Sequence, residues 1–163
     1  MEIIVGKTSG FCYGVKTTIE KTEKILEDNK SDKIYCLGEL VHNKTIIDDF
    51  KAKGIKFVND IEEAKKTTII RAHGIEKNIY EKAKRRNIEL IDLTCPSVLK
   101  IHEIVEKYAK NDYYIFLVGK KEHPETIGTY SFCGKNSCII SKSSDVEKAL
   151  ENFSKTNLGK TLI

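Results

Sequence analysis

Short apolar runs of β type alternate along this chain with longer stretches in which apolar residues recur at helical spacing. Residues 34–37, 55–58, 67–71, 88–93, 113–118 and 138–141 read as strands, with a further strand at 2–5 and one just begun at 159–163. Helices are predicted at 15–28, with Val15, Ile19, Ile25 and Leu26 near one face, at 43–54 between an Asn43 cap and Gly54, and at 76–86 and 97–110. Shorter ones fall at 61–65, after Pro124, and at 145–152 behind Ser144.

Regular alternation of this kind implies parallel strands joined by right-handed crossovers, an α/β fold of open sheets. The run at 113–118 is the most apolar and is expected as a buried central strand. From residue 96 the pattern passes through the same theme again. A first α/β domain is therefore expected over 1–95 and a second over 96–163, the latter stopping in the middle of an element.

Composition narrows the class. With 40% hydrophobic and 32% charged residues, the 163-residue chain suits a soluble globular protein. No apolar run approaches the roughly 18 to 20 residues of a membrane span, and Met1 leads into Ile3-Ile4-Val5 without a secretory signal, so a cytoplasmic protein is expected. The formal charge of +4 is mild, and no basic block is interleaved with aromatics, which argues against nucleic-acid binding. Five cysteines without an export signal or a Cys-x-x-Cys pair point to reduced thiols.

The breaks after the strands hold the candidate chemistry. They are Gly10-Phe11-Cys12-Tyr13-Gly14-Val15, Leu40-Val41-His42-Asn43, Arg71-Ala72-His73-Gly74, Asp92-Leu93-Thr94-Cys95-Pro96 and His123-Pro124-Glu125. In open α/β sheets ligands bind at the carboxyl ends of strands, so these residues are expected to converge around a metal or an anion. Cys12 and Cys95 each open a helix, where the dipole favours thiolate, although a free cysteine is also a small buried hydrophobe. Thiolates at separate strand ends suit an iron–sulfur cluster or a soft metal better than a redox disulfide. His42, His73 and His123 share one topological position and suit an anion such as phosphate. Glu125 is either a proton donor with a raised pKa or a first-turn carboxylate of its helix. Cys36, Cys133 and Cys138 read as packing or turn residues, and His102, in mid-helix, as a surface or packing residue.

Those five stretches, in this order and over essentially the whole chain, resemble the 4-hydroxy-3-methylbut-2-enyl diphosphate reductase (IspH/LytB) family. The resemblance implies repeated open parallel-sheet domains of a three-domain reductase, here the first domain and most of the second. It implies reductive dehydroxylation of 4-hydroxy-3-methylbut-2-enyl diphosphate to isopentenyl and dimethylallyl diphosphate in the non-mevalonate isoprenoid pathway. Electrons would come from ferredoxin or flavodoxin. Cys12 and Cys95 match ligands of a [4Fe-4S] cluster whose third protein ligand is expected beyond Ile163. His42, His73 and His123 match the diphosphate-facing histidines, and Glu125 the acid that delivers protons. On this reading the chain is inactive by itself. The alternative is a standalone α/β phosphate- or metal-binding module without redox activity.

Overall fold

From residue 33 onward every β-type run becomes a strand of one of two parallel sheets. The computed structural model describes residues 3–4, 6, 9–29 and 33–163. Helix α1 (Tyr13–Asp28) is followed by β1 (Tyr35–Leu37), α2 (Lys44–Ala52), β2 (Lys56–Val58), β3 (Thr67–Ile70), α3 (Lys77–Arg85) and β4 (Glu89–Asp92). Helix α4 (Pro96–Lys110) leads to β5 (Tyr114–Val118), α5 (Pro124–Tyr130), β6 (Ser137–Ile140), α6 (Val146–Ser154) and β7 (Thr161–Leu162). The first sheet has the order β2-β1-β3-β4 and the second β6-β5-β7. Every pairing among the described residues is parallel.

Parallel strands covered on both faces need apolar side chains on both, and β1 and β3 are buried at every position. Cys36 and Ile69 point to one face, into a core with Ile34, Leu40, Val41 and Phe50. Tyr35, Leu37 and Ile70 point to the other, where Val58, Ile61 and Ala83 close the second core. In the second sheet β5 is central, as its composition predicts, with Tyr114, Ile115 and Phe116 buried. Its last residue, Val118, emerges at the carboxyl end, 66% exposed.

Several local expectations change. The strand expected at 2–5 lies partly outside the described residues; Ile3 and Ile4, which are described, belong to no strand and are exposed. On α1 the buried stripe is Gly14, Thr18 and Thr22, while Val15, Ile19, Ile25 and Leu26 are only partly buried beside it. Small residues let the helix approach the sheet closely, and the threonine hydroxyls satisfy themselves on carbonyls one turn back, Thr18 on Gly14 (2.9 Å) and Thr22 on Thr18 (2.7 Å). The helix at 61–65 is a 3₁₀ turn, Ile61–Glu63. Ser144 caps nothing; a second 3₁₀ turn, Ser143–Asp145, precedes α6. There the Asp145 carboxylate accepts from the amides of Ser141 (2.9 Å) and Lys142 (3.2 Å), which a serine hydroxyl would do more weakly.

Candidate functional site

Main-chain hydrogen bonds of the first sheet continue beyond the ends of its strands. Ala72 N donates to the Leu40 carbonyl (3.3 Å), and the Ala72 carbonyl accepts from Cys95 N (2.9 Å). Residue 72 is thus the middle rung of a ladder that sets the His42 loop, the His73 turn and Cys95 side by side. Asn43 then starts α2 by accepting from Ile46 N, as expected of a cap.

Three imidazoles meet across this ladder and the second sheet. The ring centroids of His42 and His73 are 4.1 Å apart, and that of His123 lies 5.8 Å from the first and 6.1 Å from the second. His42 is exposed, with a Glu39 carboxylate oxygen 3.8 Å from Nδ1. His73 is half-buried; burial, then the neighbouring His42, Arg71 and His123, push its pKa down from 6.5 to about 4. At neutral pH His73 is therefore neutral, chiefly because burial penalises the charged ring and then because the neighbouring rings and Arg71 crowd it. His123 is the N-cap of α5, its Nδ1 accepting from Glu125 N (3.3 Å). Neutral His123 therefore carries its proton on Nε2.

Cys12 and Cys95 are the N-cap residues of α1 and α4, both free, the first exposed and the second partly buried. Close packing joins their turns. A Cβ on Gly14 would lie 2.7 Å from Cys95 Sγ, so only glycine lets the thiol rest on the first turn of α1. The buried Thr18 hydroxyl, within hydrogen-bond distance of the Gly14 and Leu93 carbonyls (2.9 and 3.2 Å), pins that turn to the end of β4. Among the described residues no three or more His, Cys, Asp or Glu side chains are arranged so as to hold a metal ion.

Glu125 is partly buried and lines, with His123, a cavity of about 400 Å³ whose other walls include Ile101, Leu117, Val118 and Thr129. The structure thus sets the carboxylate beside an apolar surface and next to the third imidazole. The remaining cysteines sit in strands or cores. Cys36 is fully buried, its thiol pushed up to about 12 by burial, and Cys133 packs with Val105 and Ile115. Cys138 sits within β6.

Sequence reasoning missed the residues that shape the turns. Arg71 packs its guanidinium over Gly38, which has φ +73° and no room for a Cβ, and its Nε donates to the Gly74 carbonyl (3.4 Å). One arginine so braces the glycine turns that precede His42 and follow His73. Asp92 accepts from Thr94 N (2.9 Å) and from the Tyr80 hydroxyl (2.8 Å), fixing the turn before Cys95. The small-residue period Gly14, Thr18, Thr22 was the available signal for the helix contact; nothing in the spacing pointed to Arg71.

The LytB protein family profile matches residues 3–161. The 4-hydroxy-3-methylbut-2-enyl diphosphate reductase of Alkaliphilus oremlandii is 41% identical over 149 residues, which is 91% of this chain and 53% of that protein. That of Caldanaerobacter subterraneus is 40% identical, covering 90% of this chain and 52% of its own length. Among solved structures, (E)-4-hydroxy-3-methyl-but-2-enyl diphosphate reductase, the terminal enzyme of the non-mevalonate pathway, superposes with a TM-score of 0.78 at 35% identity over 91% of this chain and 54% of that one. The E-1-hydroxy-2-methyl-but-2-enyl-4-diphosphate reductase from Plasmodium falciparum gives a TM-score of 0.81 at 32% identity, over 96% and 49%. The chain spans about half the length of the curated relatives it matches.

Proposed function

This chain belongs to the LytB protein family, and from that premise we propose that its strand-end residues form part of the site of a 4-hydroxy-3-methylbut-2-enyl diphosphate reductase. The convergence of His42, His73 and His123 carries the reading: three imidazoles from three separate loops, 4.1 to 6.1 Å apart, with ring N–H groups available to phosphate oxygens. Protonation that the free site disfavours at His73 becomes favourable once a diphosphate supplies the opposite charge. The substrate is then an allylic diphosphate, converted to isopentenyl and dimethylallyl diphosphate with uptake of two electrons and two protons and loss of water.

Cys12 and Cys95 would hold a [4Fe-4S] cluster; two free thiols on abutting helix starts, with glycine cleared for one of them, fit part of its ligand set. When bound, the cluster supplies electrons received from ferredoxin or flavodoxin. Glu125 is the proton donor to the leaving hydroxyl, held toward the cavity because its own amide is tied to the His123 ring. We place the domain boundary at Cys95–Pro96, between the two sheets, and the protein in the cytoplasm; no helix among the described residues is long and apolar enough to cross a membrane.

A second reading, diphosphate binding without redox chemistry by these 163 residues alone, draws on a difference between the two ligand sets. The histidine set closes within the described residues, whereas two thiols do not complete a cluster. Calorimetric titration with inorganic diphosphate tests the shared premise. His42→Ala or His73→Ala should weaken binding about ten- to a hundredfold, the worth of one charge-assisted hydrogen bond. Unchanged affinity in both variants would remove the proposal. Anaerobic reconstitution separates the two readings: labile, substoichiometric iron that is lost when Cys12 or Cys95 is replaced supports the reductase site, and a colourless chain that still binds diphosphate supports the binding-only reading.

A further inference from the structure

Helix α4, which begins at Cys95, carries His102, an imidazole only 3% exposed. Its ring lies flat on Phe132, centroids 4.4 Å apart and planes inclined by 18°. One edge of the ring, at Cε1, faces the turn that carries His73. A Cβ on Gly74 would lie 2.9 Å from His102 Cε1 and 3.2 Å from Thr94 Cγ2, and Gly74 has φ +75°, a conformation only glycine adopts without strain. Neither nitrogen of His102 has a hydrogen-bond partner among the described residues. Packing alone therefore holds the ring, and it can transmit position only by contact. Burial keeps its pKa below the ordinary histidine range, with Asp92 opposing, so the wedge is uncharged.

We propose that His102 is a positioning residue for the diphosphate site: wedged between Phe132 and the Gly74 turn, it sets how far His73 projects toward His42 and His123. One helix then carries both the Cys95 thiol and the support beneath the neighbouring imidazole. The inference rests on the reading of the histidine cluster as a diphosphate site.

The test is His102→Leu, which keeps an apolar side chain of similar bulk but loses the flat edge against Gly74. With two unpaired buried nitrogens gone, its thermal midpoint should not fall. Its affinity for inorganic diphosphate should fall about tenfold all the same. Phe116→Leu, on β5 and buried in the other core of the second sheet, should lower the midpoint and leave affinity within about twofold. Added to His73→Ala, His102→Leu should cost nothing further, because it acts through His73. A full tenfold loss on top of His73→Ala, or an affinity that simply tracks the midpoint, would overturn the proposal.

A second measurement needs no ligand. In the free chain the ring resonances of His73 in carbon–proton NMR spectra should move in His102→Leu, and in the same direction in Phe132→Leu, which removes the backing ring. They should stay in place in Phe116→Leu. If the wild-type chain fails to bind diphosphate, the proposed function falls while these resonances still decide the role of His102, and unmoved His73 signals in both variants would refute it.

Discussion

The two sheets present their candidate functional side chains by different means. On the first, backbone hydrogen bonds run on past the strands through Leu40, Ala72 and Cys95, so the places of His42, His73 and Cys95 are set by main chain. On the second, His123 and Glu125 stand on the seven-residue α5, tied by one 3.3 Å bond from the Glu125 amide to the His123 ring. A ladder holds its loops whatever side chains they carry. A cap depends on the residue that makes it. The first region is a fixed platform, and in the second the side chain proposed to meet the ligand is also the structural tie.

The largest test of this contrast is at Glu125. In a reductase spanning the family's full length, Glu125→Gln should lower turnover by about 10²- to 10⁴-fold, the loss typical of a missing general acid, with diphosphate affinity little changed. Near-parental turnover would reduce the carboxylate to a helix-start group. Next come the glycines beneath each region. Gly74→Ala meets an imidazole pinned by Phe132 and adopts a left-handed backbone, so it should destabilise by about 1–3 kcal/mol in denaturant unfolding. Gly119→Ala meets the Thr126 hydroxyl, which can rotate away, and should cost less than about 1 kcal/mol. Equal costs would dissolve the distinction between platform and cap.

At His123 the tie and the ligand can be separated. His123→Ala removes both, whereas His123→Asn restores a capping acceptor, and the asparagine variant should be the more stable by about 1 kcal/mol while both lose diphosphate affinity. Identical unfolding midpoints would show that the ring nitrogen is not a working cap. The smallest effect concerns pH. His73 has a folded pKa of about 4, below its ordinary 6.5, so between those values the unfolded chain binds more protons. Stability should be full above about pH 6.5 and decline modestly as pH falls toward 4, an effect absent from His73→Ala. Diphosphate binding should take up protons, visible as a buffer-dependent heat, because the anion favours the charged ring.

The alternation of strands and helices was legible because burial on both faces of a parallel strand demands an apolar run, and helical periodicity is local. Asn43, Gly54 and the Pro124 turn were legible for the same reason: each is a backbone requirement written in one residue. The candidate residues stood out as chemistry at strand ends. Their convergence did not follow from spacing alone, since His42 and His123 are 81 positions apart and their rings meet only in the folded chain.

Local sequence thus determined which segments are strands and helices, and which side chains stand at their ends. Tertiary structure alone decided that Thr18 rather than Val15 faces the sheet, that Arg71 braces two glycine turns, that His73 is neutral, and that His102 lies beneath it. Periodicity and capping act between residues a few positions apart, whereas close packing, burial and the electrostatic effect of one ring on another act through space, between residues whose separation along the chain carries no trace of their contact.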